Sequence, residues 1–226
     1  MSALFVAGTG TDIGKTWVTA GLIRHLRAIG IDARALKPII SGYDPANAET
    51  SDAGVLLAAM GEPINQSTID AISPWRFAAP LSPDMAARRE GRNVQVECVA
   101  TFCRGAIAKA AGPLLVEGAG GLMTPMTDEA TCLDLARKLD CPVLLIAGSY
   151  LGAISHALTA VEAVRHHDVS FAAIVVNETP GSAVDLGETV ETLRRFLPHA
   201  TIIAVARQAF GSNVFDDIAA ACGLKA

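Results

Sequence analysis

The chain has 226 residues, 51% of them hydrophobic, and a formal net charge of −5. That length and apolar content support one sizeable core and exclude a disordered chain, and the acidic balance, with no lysine- or arginine-rich run, argues against nucleic acid as a partner. The cysteines Cys98, Cys103, Cys132, Cys141 and Cys222 are odd in number and lack C-x-x-C spacing, so they read as reduced thiols in the core of a cytoplasmic protein, not as a disulfide frame or zinc site.

In chain order, residues 3–7 form the first apolar run, with no basic flank or cleavage signature, and read as a strand rather than a signal peptide. Gly8-Thr9-Gly10-Thr11-Asp12-Ile13-Gly14-Lys15-Thr16 follows, opening a helix over 14–29 that carries Val18, Leu22, Ile23 and Leu26. A strand, a glycine-rich turn and Gly-Lys-Thr at a helix start form the setting of a phosphate-binding loop. Backbone N–H groups face the polyphosphate there, and the helix dipole favours its charge. Lys15 is placed to reach the β- and γ-phosphates and Thr16 to ligate Mg²⁺. Thr9 stands where the strict pattern has its first glycine.

A strand over 33–36 leads into Lys37-Pro38-Ile39-Ile40-Ser41-Gly42. Of the lysines Lys15, Lys37, Lys109, Lys138 and Lys225, Lys109 and Lys138 have the setting of solvated helix faces, whereas Lys37 ends a strand in apolar company. A strand-end ammonium in apolar company usually has an anionic partner or else a depressed pKa, and it belongs either to a site or to a structural ion pair. Residues 41–92 are rich in proline and small polar side chains and read as an active-site excursion with one or two helices. Within it, Ser51 or Asp52 before a helix over 53–60 reads as an ordinary N-cap. A helix over 94–111 aligns Val96, Val99, Cys103 and Ile107 on one face.

The strand over 114–116 runs into Glu117-Gly118-Ala119-Gly120-Gly121. A carboxylate there, close to a phosphate loop, is suited to hold Mg²⁺ directly or through water; the plainer alternative is a helix-cap carboxylate beside a tight turn. Helices over 133–139, 154–167 and 184–196 then alternate with strands over 143–147, 172–176 and 202–205. The segment 214–224 puts Phe215, Ile218 and Cys222 opposite Asp216 and Asp217, an acidic face that argues against a membrane-surface helix. No apolar stretch is long enough to cross a bilayer. No H-x-x-x-H pair or G-x-S-x-G elbow is present. The alternation predicts a single doubly wound α/β domain over 1–226, with a mostly parallel sheet of the phosphate-loop NTPase type and helices on both faces. Its ligands belong beyond the carboxyl ends of the strands.

Taken together, the motifs resemble the dethiobiotin synthetases. The resemblance rests on G-T-G-T-D-I-G-K-T from Gly8, K-P-I-I-S-G from Lys37, S-D-A from Ser51 and P-L-S-P from Pro80. It continues with V-E-G-A-G-G from Val116, L-G-A-I-S-H-A from Leu151 and Val176-Asn177. It implies a homodimeric ligase that uses ATP, CO2 and 7,8-diaminopelargonate to make dethiobiotin. Lys37 and Lys15 would be catalytic, and Thr16, Asp52 and Glu117 would hold Mg²⁺, which displaces the capping role for Asp52. Asp12, Ile13, Gly14, Lys15, Thr16 and Trp17 would wrap the phosphates. Glu117, Gly118, Ala119 and Gly120 would line the nucleotide, and Asn177 would meet the base. Ser41 would contact the substrate near its reacting end, with Gly152, Ala153, Ile154 and Ser155 of the second subunit receiving its carboxylate.

The chain departs from the family pattern at Asp12, where glutamate is frequent, and at Ser155, where asparagine is common. It also lacks the Gly-x-Ile-Pro-like turn near the last strand, reading Ile203-Ala204-Val205-Ala206-Arg207. Two rivals are a partitioning-type ATPase switch, whose second loop lysine is missing here, and a stand-alone amidotransferase synthetase domain.

Overall fold

The computed structural model describes residues 3–207 and 213–224; Lys225 lies outside them. Strand β1 (Ala3–Gly8) feeds helix α1 (Lys15–Ala28), then β2 (Arg34–Leu36) and β3 (Ile39–Ser41). A 3-10 turn at Pro45–Thr50 precedes α2 (Asp52–Met60), α3 (Gln66–Ile72), β4 (Trp75–Phe77) and α4 (Pro83–Arg89). The chain continues through α5 (Val96–Lys109), β5 (Leu114–Glu117), α6 (Cys132–Leu139), β6 (Val143–Gly148) and α7 (Ala153–His166). It closes with β7 (Phe171–Asn177), α8 (Leu186–Phe196), β8 (Ile202–Val205) and α9 (Val214–Ala221).

Six strands form a parallel sheet in the order β2-β5-β1-β6-β7-β8. Val6 of β1 stands opposite Glu117 on one side and Leu144 on the other. Helices explain the missing alternation in these strands. On one face α2, α1 and α9 lie side by side, with α9 reaching β7 and β8, while α8 also packs on β7 and β8 and contacts α7. Phe5, Val6, Leu115, Val116, Leu144, Leu145, Val175 and Val176 are fully buried as a result. Sequence order reverses around β1, so its carboxyl end opens into a crevice, the place where such sheets bind ligands.

The excursion over 41–92 is more ordered than its composition indicates. It contains three α-helices, not one or two, and β4 pairs in parallel with β3, Ile39 opposite Trp75 and Ser41 opposite Phe77. Three-residue strands and seven-residue helices are too short for periodicity to register; tertiary packing sets them. The thiols also split. Cys103, Cys132 and Cys141 are buried, but Cys98 is exposed and Cys222 partly so, which corrects the expectation of five core cysteines. Among the described residues, no helix is long and apolar enough to cross a membrane.

Candidate active site

The loop after β1 is shaped by backbone demands. Thr9 N–H donates to Ile146 O at 2.9 Å, extending the ladder with β6, and a Cβ is accommodated where the strict pattern has glycine. Gly14, at φ 90°, has no such freedom. A Cβ there would stand 2.2 Å from Asn177 Nδ2, which donates to Ile13 O at 2.9 Å. The end of β7 thus props the phosphate loop from behind. Helix α1 begins without a side-chain cap, and its first-turn N–H groups are suited to an anion.

Lys15 lies along this loop, its Nζ donating to Gly10 O at 3.0 Å. Burial lowers its pKa, and the neighbouring Lys37 lowers it further, with partial offset from Glu117 and Asp52.

Lys37 is the centre of the charged cluster. Its Nζ donates to Glu117 Oε1 at 2.7 Å and to Gly118 O at 3.1 Å, and pairs with Asp52 Oδ2 at 2.9 Å. Thr16 Oγ1 donates to the same Glu117 Oε1 at 2.7 Å. Lys37 is 4% exposed and Glu117 1%. An unpaired charge at that depth costs several kcal/mol, so each ion depends on the other. Burial alone would lower the Lys37 pKa, but Glu117 and then Asp52 outweigh it and hold the ammonium above the ordinary lysine value. Burial would likewise raise Asp52; the Lys37 charge and its hydrogen bond win and keep the carboxyl below its usual range.

The backbone of Lys37 is fixed independently. Its N–H donates to Ile72 O at 3.1 Å, and its carbonyl accepts from Ser73 Oγ at 2.6 Å. Ser51 caps α2 by accepting from Gly54 N, which leaves the Asp52 carboxylate to face Lys37. The local reading of Asp52 as a cap is therefore corrected: Ser51 does that work.

The residues also fit a divalent cation. Glu117 Oε2 is buried and has no hydrogen-bond partner, beside the Thr16 hydroxyl and close to Asp52. This all-oxygen set, with few protein ligands, suits Mg²⁺ completed by phosphates and water. Among the described residues there is no group of three or more His, Cys, Asp or Glu able to hold a metal by itself.

A cleft of about 870 Å³ lies over the cluster, lined by Asp12, Gly14 through Trp17, Lys37, Asp52, Ala119 and Gly120 among others. Ser41, Gly42 and the segment 80–83 also line it. The Ser41 hydroxyl is buried and unpaired. Ile13, Glu117, Gly118 and Asn177 are not among the residues that line the cleft. Gly152, Ala153, Ile154 and Ser155 are not part of it: they open α7 beside Leu151, which is 92% exposed.

Three contributors carry no sequence signal of their own. Ser73 is one. Cys132 is another: its Sγ donates to Ala119 O at 3.0 Å, and burial pushes its thiol up to about 11. The third is Glu178, whose N–H donates to Val205 O and whose Oε2 accepts from Arg207 N, at 2.9 and 2.8 Å. That carboxylate closes the β7–β8 end with an N–H that a proline at 207 could not supply.

A family model described as an AAA domain matches residues 2–208. The chain is 51% identical over 215 residues to the ATP-dependent dethiobiotin synthetase BioD of Methylobacterium nodulans, covering 92% of this chain and 94% of that protein. It is 49% identical over 198 residues to that of Acidiphilium cryptum, covering 87% and 89%. Among solved structures it is similar in fold to the MinD cell division protein of Aquifex aeolicus, with TM-score 0.55, 11% identity and coverage of 96% and 86%.

Proposed function

Because the chain belongs to the ATP-dependent dethiobiotin synthetase family, we propose that this cleft carboxylates 7,8-diaminopelargonate and closes its cyclic urea at the expense of ATP. The supporting observation is the Lys37–Glu117–Asp52 cluster at the mouth of the phosphate loop, in which Lys37 and Glu117 are buried. A MinD-like fold alone is shared by ATPases of other purposes; identity near one half over most of the chain favours the synthetase over the switch and amidotransferase readings.

The reaction needs no covalent nucleophile from the protein. One amine adds to CO2 and loses a proton, giving a carbamate. A carbamate oxygen then takes the γ-phosphoryl group, releasing ADP. The second amine attacks the carbamoyl carbon, loses a proton and expels phosphate, and the ring closes. Lys37 and Lys15, both buried, supply fixed positive charge to the carbamate and the transferring phosphoryl group. Lys37 stays charged because its two carboxylates hold it so. Ser41 offers a buried, unpaired hydroxyl to the reacting end of the diamine.

Mg²⁺ bound with ATP would be held by Thr16, Asp52 and Glu117 and would neutralise phosphate charge. In the proposed reading the substrate carboxylate is received by Gly152–Ser155 of a second copy in a homodimer, which is compatible with the N–H groups opening α7 not lining this cleft. The test is a mass-spectrometric assay with the diamine, ATP, Mg²⁺ and ¹³C-bicarbonate. Labelled dethiobiotin in amounts equal to ADP is expected; ATP hydrolysis without labelled product overturns the assignment.

A further inference from the structure

Phosphate binding at the start of α1 asks for backbone N–H groups, yet the residue after Thr16 is a tryptophan. Trp17 is half-buried and lines the cleft. Phe215 of α9 stands against its ring, with centroids 6.0 Å apart at 45°, and is itself only 5% exposed. Gly21, one helical turn beyond Trp17, admits the Phe215 ring, since a Cβ there would stand 2.1 Å from its Cζ. A glycine inside a helix costs on the order of 1 kcal/mol relative to alanine. Here it lets α9 come close enough to brace the indole.

The topology says which part of a nucleotide this pair meets. The charged cluster marks the terminal-phosphate end and lies on the β5 side of the phosphate loop, where Lys37, Asp52 and Glu117 converge. Helix α9 packs on α1 from the other side, over β7 and β8, and Asn177 touches Ile13 from that side. A nucleotide whose terminal phosphate lies by Glu117 directs its base toward β7 and β8, past Trp17. Every base has a π-face, so an aromatic platform holds bases without reading their hydrogen-bond pattern.

We propose that the Trp17 indole is the surface on which the nucleotide base stacks, with Phe215 as a positioning residue behind it. Base recognition then rests on stacking, at the end of the sheet where the chain lacks the proline turn, and other triphosphates are held nearly as well as ATP. The proposal rests on the ATP site assigned above but not on the reaction.

Calorimetric binding of Mg-ATP and of Mg-tripolyphosphate, which has no base, separates the possibilities without any diamine present. Trp17→Ala is expected to weaken ATP, CTP and GTP alike, by about tenfold or more, and tripolyphosphate by less than about twofold. Trp17→Phe recovers most of the loss. Equal weakening of ATP and tripolyphosphate, or no weakening of ATP, overturns the proposal. A readout independent of the alanine variant's folding is the fluorescence of a Trp75→Phe protein, in which Trp17 is the remaining tryptophan. It should change with ATP and not with tripolyphosphate; identical responses contradict stacking. A failed carboxylation assay would leave these binding results standing, and failed stacking would leave the carboxylation result standing.

Discussion

The two sides of the phosphate loop are built from different materials. At the β5 end, Lys37 is in ion-pair contact with Glu117 and Asp52, Lys15 feels the field of all three, and Lys37 and Glu117 are almost wholly buried. At the β7–β8 end the connections are an amide, Asn177 to Ile13, a carboxylate holding the Arg207 N–H, and an aromatic pair. Charge must be fixed in advance where it has to meet developing negative charge, because reorientation during reaction forfeits the stabilisation. A base undergoes no chemistry, so the side of the loop proposed to receive it is free to vary, and it is there that this chain lacks the proline turn.

The largest effect should come from taking the charge out of the β5 end. Lys37→Met is expected to lower kcat by about a hundredfold or more while changing ATP affinity by less than about threefold, measured as turnover at saturating ATP and as calorimetric Kd. A variant that loses ATP binding and turnover equally would make Lys37 a binding residue and erase the contrast. Glu117→Gln should raise the Mg²⁺ concentration needed for half-maximal rate by about tenfold; an unaltered metal titration removes Glu117 from the proposed ligands.

Acid should also discriminate between the ends. Asp52 has a folded-state pKa below its ordinary 3.8, so its contribution is complete above that value and is lost as pH falls through the lower, folded-state pKa. Lys37 is raised above 10.5, so its contribution is present below that pH and lost only on strong alkalinisation. Thermal melts of metal-free protein should therefore show Tm falling below about pH 4, with a shallower fall in Lys37→Met, whose Asp52 has lost its partner. Parallel acid limbs in the two proteins would remove the pair from the account. The smallest effect is assigned to Glu178→Ala, which loses one rim hydrogen bond. It should raise the KM for ATP by about threefold and leave kcat unaltered.

The sequence displays the first of these regions better than the second. Lys37 and Glu117 announce themselves because each is a charge at the end of an apolar run, and the strand-end rule aims both at one crevice. Asp52 does not. Beside Ser51 at a helix start it looks like a cap, and its pairing with Lys37 depends on how the 3-10 turn over Pro45–Thr50 carries α2 over the sheet. Ser73, buried against the Lys37 carbonyl, is invisible for the same reason. The pairing of β3 with β4 joins triplets whose register is decided by their neighbours, not by any pattern of their own. At the β7–β8 side, Glu178 reads as an ordinary residue after a strand until Arg207 N–H is found on its carboxylate.

The claim on which the rest depends is that a carbamate is phosphorylated beside Lys37. Turnover with ¹⁸O-labelled CO2, sampled before its oxygens exchange with water, tests it directly through the mass of the released phosphate. Phosphoryl transfer to the carbamate carries one labelled oxygen into inorganic phosphate when the ring closes. Phosphate bearing no label, alongside normal dethiobiotin formation, would contradict it.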